Sequence, residues 1–263
     1  METNQNLLEY RKVDIQYGDR KIIQDFSLQM KQGEILGIVG ESGSGKSTVI
    51  RAAMGLLGDS GKVSGGEILY RGTDMTKVSG EQLRQLCGPE LGMIFQNAGA
   101  SLCPIRTIEE QLYEAVLQHE AVSKEEIRDR ALKLFKQLRF TNGKQILKSY
   151  PFEFSGGMNQ RVGIVLAMVL RPKLLLADEP TSALDVTVQA QVIKEMMKLR
   201  ELYGTGIAIV THNISVVNYM ADYVAVMHQG KLVEYGTKEE VLNHPQEAYT
   251  KKLIGSVLRL KRR

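Results

Sequence analysis

Eight residues, Gly40-Glu-Ser-Gly-Ser-Gly-Lys-Ser47, constrain this chain more than any others. They match G-x-x-x-x-G-K-[ST], a spacing that turns successive backbone N–H groups inward to cradle an anion. The flanks fit. Glu34–Val39 is a short continuous apolar run suited to a buried central strand, and a helix is predicted from about Lys46 to Leu57. The helix start adds its positive dipole end to the cradle. The expected phosphate contacts come from Gly40, Ser42, Gly43, Ser44, Gly45 and Thr48. Lys46 is expected on the β- and γ-phosphates, and the Ser47 hydroxyl on Mg²⁺. That is the chemistry of a nucleoside triphosphate site, and by itself it separates no one class of such proteins from another.

A triphosphate-cleaving site also needs a carboxylate for Mg²⁺ and a group that activates water. Leu174-Leu-Leu-Ala-Asp178-Glu179 offers both at the end of another buried run, where ligands of parallel sheets gather. Asp178 is the expected metal ligand and Glu179 the expected general base.

The rest of the chain alternates strand and helix patterns at both ends. Val13, Ile15 and Tyr17 alternate with polar residues, Ile22 to Met30 repeats the pattern, and Gly65–Tyr70 follows. Leu91–Phe95 and Gly206–Val210 read as buried strands, and Tyr223–Met227 with Lys231–Tyr235 as a hairpin about His228-Gln-Gly230. Between about Thr107 and Val169 the spacing is helical, with a capping-box start at Ser123-Lys-Glu-Glu126. The expected fold is α/β: a P-loop NTPase core with a parallel sheet, an N-terminal antiparallel β part, and an α-helical lobe inserted at about 100–165. One domain over residues 1–263 is expected.

Composition narrows the classes. Hydrophobic residues make up 43% and charged residues 24%, an ordinary globular balance. The net charge of +4 is too small to argue for a nucleic-acid groove. Much of it sits in Arg259, Lys261, Arg262 and Arg263, read as a solvated tail or a weak attraction to an anionic membrane surface. Cys87 and Cys103 have neither metal nor redox spacing, which fits a reducing compartment. The start is polar, without a signal-peptide pattern, and the longest apolar run, near Val162–Leu170, is far short of a membrane span. Work at a membrane would need spanning partners.

Phe154-Ser-Gly-Gly-Met-Asn-Gln-Arg161 precedes the acidic strand, and Asp178-Glu-Pro-Thr-Ser-Ala-Leu-Asp185 and His212 follow in order. This set resembles the ABC (ATP-binding cassette) ATPase family over essentially the whole chain. The resemblance implies an adenine-stacking Tyr17 and a loop glutamine Gln96 that touches Mg²⁺ or water and senses the membrane subunit. It implies that Ser155, Gly156 and Gly157 bind the γ-phosphate of ATP held by a second subunit. It places Asp185 across the dimer interface and His212 on the γ-phosphate. ATP and Mg²⁺ are the implied cofactors. The implied partners are transmembrane permease subunits, a second ABC ATPase in a heterodimer, and indirectly an extracytoplasmic substrate-binding protein, with no nucleic acid. The implied location is peripheral, on the cytoplasmic face of the cell membrane.

Phe154 and Met158 depart from the commoner L-S-G-G-Q and are similar to the ATPases of peptide and nickel importers. Tyr150-Pro-Phe-Glu-Phe154, Ala183–Gln191 and His244-Pro-Gln-Glu-Ala-Tyr-Thr-Lys-Lys-Leu253 strengthen that resemblance, although three residues separate Pro245 from Tyr249 and Asn159 stands where arginine is common. The short stretch after Leu253 tilts the expectation slightly toward nickel or metallophore uptake over peptides. The competing classes are a soluble ABC ATPase acting on nucleic acid or the ribosome, and a non-hydrolysing regulatory cassette. The single cassette without zinc spacing speaks against the first, and intact Lys46, Asp178, Glu179 and His212 against the second.

Overall fold

The computed structural model describes residues 6–260. In chain order the elements begin with β1 (Asn6–Tyr17), β2 (Arg20–Lys31), β3 (Ile35–Val39), α1 (Lys46–Ala53), β4 (Gly61–Tyr70), β5 (Thr73–Asp74) and α2 (Gly80–Leu86). There follow β6 (Leu91–Ile94), α3 (Ala98–Ser101), α4 (Ile108–Leu117), α5 (Lys124–Gln137), α6 (Gly143–Lys148), a 3₁₀ turn at Pro151–Glu153, and α7 (Gly156–Met168). The chain continues through β7 (Leu174–Asp178), α8 (Val186–Tyr203), β8 (Gly206–Val210), α9 (Ile214–Met220), β9 (Tyr223–His228), β10 (Lys231–Thr237), α10 (Lys238–Asn243) and α11 (Ala248–Leu260). It divides into two compact units, Met1–Leu83 with Gly206–Arg263, and Arg84–Thr205.

In the first unit β1 pairs antiparallel with both β2 and β4, and β4 with β5. Val13 and Ile15 on β1, and Phe26, Leu28 and Met30 on β2, are buried with period-2 alternation, and a register shift at the positive-φ Asp25 brings Ile23 inward as well. Strand β3 lies between β8 and β9, parallel to both, and all five of its residues are buried. Such a strand must be apolar throughout, and Ile35-Leu-Gly-Ile-Val39 is. Helix α1 ends at Ala53, four residues before the predicted limit, because the chain turns at Met54-Gly55, where Gly55 has φ +65°. The predicted hairpin forms between β9 and β10, its turn made by Gln229 and Gly230, both at positive φ.

In the second unit β6 and β7 run parallel, with Ile94 opposite Ala177. Helix α5 starts where the sequence predicts: Ser123 Oγ accepts the Glu126 N–H, and Ile127, Ala131 and Phe135 are buried. Helix α4 has a full capping box from Thr107 and Glu110. No helix among the described residues is long and apolar enough to cross a membrane. Cys87 and Cys103 are free and half-buried. The side chains of the basic tail (Arg259, Lys261, Arg262 and Arg263) lie outside the described residues.

Candidate nucleotide site

The first unit supplies the phosphate loop. Strand β3 stops at Val39 and the chain turns through Gly40 to Gly45 into α1. Gly40 has φ +149°, and a Cβ there would stand 2.1 Å from the Met227 carbonyl oxygen. Gly45 caps α1 at φ +97°, and a Cβ there would stand 2.4 Å from Ile23 Cδ1. Both positions have a positive φ that favours glycine, and at Gly40 the fixed backbone carbonyl leaves no room for a Cβ either. The loop's inner turn is closed by the Ser44 N–H on the Glu41 carbonyl at 3.2 Å, and the Gly230 N–H binds the Ser44 carbonyl at 3.1 Å.

Lys46 is 7% exposed. Its Nζ donates to the Gly40 and Glu41 carbonyls at 2.9 and 2.6 Å, and to Ser44 Oγ at 3.4 Å. A buried ammonium must be paired in this way. The loop therefore presents a fixed cation beside backbone N–H groups at a helix start, with the half-buried Ser47 and Thr48 on the first turn of α1. This donor set fits a triphosphate, and the Ser47 hydroxyl fits a hard cation carried with it.

His212 and the loop leave neighbouring strand ends. Ile38 of β3 lies opposite Val210 of β8, and the Thr211 N–H donates to the Ile38 carbonyl. Ligands of parallel sheets gather at such carboxyl ends. His212 itself is exposed. Tyr17 ends β1 half-buried, its ring edge against Gly61, whose Cβ would lie 2.8 Å from Tyr17 Cε1. The first unit thus brings the loop and His212 to one sheet end and places Tyr17 on the antiparallel sheet.

The second unit gathers the remaining predicted residues. Gln96 follows β6 and is exposed, and Asp178 ends the adjacent β7, fully buried. Glu179 has φ +48°, an unusual conformation for a residue with a Cβ. Its carbonyl accepts the Ser182 N–H at 3.2 Å and the Ser182 hydroxyl at 3.1 Å, which pin the turn. Ser155 is the N-cap of α7, its Oγ accepting the Met158 N–H, with Gly156 exposed and Gly157 beside the Ala183 carbonyl. Asp185 is the N-cap of α8, Oδ1 accepting the Thr187 and Val188 N–H groups at 3.0 Å each. The resemblance gave Asp185 a task at a dimer interface; within the chain it ends the Pro180–Leu184 turn.

Sequence reading missed Gln160, which ties these pieces together. It is 2% exposed, Nε2 donating to the Phe95 carbonyl at 2.9 Å and the Pro180 carbonyl at 3.1 Å, while Oε1 accepts the Ala98 N–H. One side chain thus joins the Gln96 loop, the start of α7 and the turn after Glu179. The available signal was a glutamine on an otherwise apolar helix face. Next to it, Arg161 lies 4.0 Å over the Phe140 ring and donates to the Leu138 carbonyl. Burial lowers its pKa, with Asp185 opposing. Among the described residues no group of three or more His, Cys, Asp or Glu could hold a metal by itself.

Comparison with known proteins identifies the family. A family model described as ABC transporter matches residues 23–182. The dipeptide transport ATP-binding protein of Haemophilus influenzae is 39% identical over 255 residues, covering 95% of this chain and 77% of that protein. The oligopeptide transport ATP-binding protein of Bacillus subtilis is 41% identical over 256 residues, covering 95% and 72%. Among solved structures, the dimeric post-hydrolysis state of the ATP-binding cassette MJ0796 bound to ADP and Pi matches with TM-score 0.78 at 27% identity, over 88% of this chain and 98% of that one. An ATP-binding subunit of an ABC transporter matches with TM-score 0.79 at 26% identity, over 96% and 99%. The slight preference for nickel drawn from the short stretch after Leu253 finds no support in these relatives, which are dipeptide and oligopeptide transport ATP-binding proteins. The chain belongs to the ABC transporter family and is one of its importer ATPases.

Proposed function

We propose that this ATPase powers the uptake of di- or oligopeptides. The similarity to peptide-transport ATP-binding proteins along 95% of the chain carries the reading. All of residues 1–263 act as one cassette, with the helical lobe of about 100–165 inserted in the nucleotide-binding core. The cassette sits peripherally on the cytoplasmic face of the membrane. Its partners are transmembrane permease subunits and a second ATPase, with a substrate-binding protein outside.

At the site, Gly40, Ser42, Gly43, Ser44, Gly45, Lys46, Ser47 and Thr48 hold the phosphates of ATP, and Tyr17 stacks on adenine. Ser47, Gln96 and Asp178 are the residues that would hold Mg²⁺, which would supply charge neutralisation for the phosphates. Glu179 takes the proton of the attacking water and His212 keeps Glu179 and that water aligned. Ser155, Gly156 and Gly157 present an anion site to ATP on the second subunit, and Asp185 lies at that interface. Loss of the γ-phosphate removes the shared ligand, and the pair opens.

The test is uptake of labelled di- and oligopeptides and of labelled Ni²⁺, in cells carrying intact or Lys46→Ala protein. Peptide uptake should fall to background while Ni²⁺ uptake stays unchanged. Selective loss of Ni²⁺ uptake would overturn the peptide assignment and leave the ATPase standing.

A further inference from the structure

The phosphate loop is held from behind by chain that lies about 190 to 210 residues further on. Two of these contacts are backbone: the Met227 carbonyl against Gly40 and the Gly230 N–H on the Ser44 carbonyl. The third is a side chain. Tyr249, in the first turn of α11, is half-buried, and its hydroxyl accepts the Glu41 N–H at 3.1 Å. Its ring stacks on His228, the last residue of β9, with centroids 4.0 Å apart and planes 17° apart. Burial raises its pKa above the usual tyrosine value, so the neutral phenol makes this contact.

The Glu41 N–H and the Gly40 carbonyl belong to one planar peptide unit and point opposite ways. Tyr249 holds the N–H end, and Lys46 Nζ binds the carbonyl end at 2.9 Å. Rotation of that peptide would turn the carbonyl away from the ammonium. The hydroxyl of Tyr249 therefore fixes the plane against which Lys46 is set, without touching Lys46. Next to it Thr250 is fully buried, and its hydroxyl has no hydrogen-bond partner among the described residues.

We propose that Tyr249 is a positioning residue for nucleotide binding, holding the Gly40–Glu41 peptide so that Lys46 stands ready for the phosphates. The proposal rests on reading Gly40–Ser47 as the phosphate cradle. It gives the His244–Leu253 segment a task at the ATP site.

The experiment is calorimetric titration of the purified full chain with Mg·ATP, alongside thermal melts, for the wild type, Tyr249→Phe, Thr250→Val and Lys46→Ala. Tyr249→Phe keeps the ring stack and deletes only the hydroxyl. It should raise Kd about threefold to tenfold, the range set by one neutral hydrogen bond, with little change in Tm. Thr250→Val perturbs the same turn of α11 without reaching the loop and should leave Kd within about twofold. An unchanged Kd in Tyr249→Phe beside lost binding in Lys46→Ala would overturn the role of Tyr249 and spare the cradle. An equal rise in Tyr249→Phe and Thr250→Val would reduce the effect to packing of α11 and overturn it too. Normal binding by Lys46→Ala would overturn the cradle and the proposal together.

Discussion

The turn after β3 and the turn after β7 solve the same problem in opposite ways. Each follows a buried parallel strand and forces the backbone to positive φ. At Gly40, Gly43 and Gly45 the chain uses glycine, which carries no steric cost there, and leaves the side-chain chemistry to Lys46. At Glu179 a carboxylate occupies the left-handed position itself. The chain then needs props: Ser182 on the Glu179 carbonyl, and Gln160 on the Pro180 carbonyl. A loop that binds through backbone can be made of glycine, whereas a turn that must aim a side chain cannot. Unfavourable backbone at functional positions costs about 1–3 kcal/mol and persists where surrounding bonds over-determine it.

Three tests would break or sharpen that contrast. The largest effect is expected from Glu179→Gln, which removes the carboxylate proposed as the base and leaves the turn. ATP turnover, measured with the partner subunits present, should fall by about 10²- to 10⁴-fold while ATP binding persists. Full turnover in that variant would remove Glu179 from the chemistry and leave its backbone conformation without a functional reason.

Gly40→Ala and Gly43→Ala come next, compared with each other. Both force a Cβ onto positive φ, but at Gly40 the Cβ meets the Met227 carbonyl at 2.1 Å, and at Gly43 it meets nothing within 4 Å. Denaturant melts should show Gly40→Ala destabilised by about 3 kcal/mol or more and Gly43→Ala by about 1 kcal/mol. Equal losses would mean that conformation alone, and not the close approach of β9, selects glycine at the start of the loop.

Gln160→Leu acts on the props of the second turn. It takes the partner from the buried Pro180 carbonyl, the part-buried Phe95 carbonyl and the buried Ala98 N–H, each worth about 1 kcal/mol or more. A loss of about 2–4 kcal/mol in urea unfolding is expected, with ATP affinity less affected than turnover because the phosphate loop keeps its own contacts. A stability change under about 0.5 kcal/mol would show that the Glu179 turn holds without Gln160.

Much of the site was legible because its chemistry is local in the chain. The glycine spacing, the lysine at the helix start and the two carboxylates after a buried run each declare a function within eight residues. The same holds for Ser155 and Asp185, whose small polar side chains at helix starts are both caps and motif residues. Strand and helix patterns were legible for the same reason, down to the hairpin at His228–Gly230. The end of α1 was overshot because apolar residues continue past Ala53 while the backbone turns at Gly55.

Sequence by itself thus determined that the chain carries a phosphate loop, a pair of carboxylates and the signature of an ABC ATPase, since backbone freedom, charge and capping are properties of neighbouring residues. Only the tertiary structure decided which distant groups hold those pieces in shape: Met227 against Gly40, Tyr249 on Glu41, and Gln160 among Phe95, Ala98 and Pro180. The reason is physical. A hydrogen bond or a close approach between residues 20 to 208 positions apart leaves no period or spacing in the sequence, and it exists only once the strands have paired and the helices have packed.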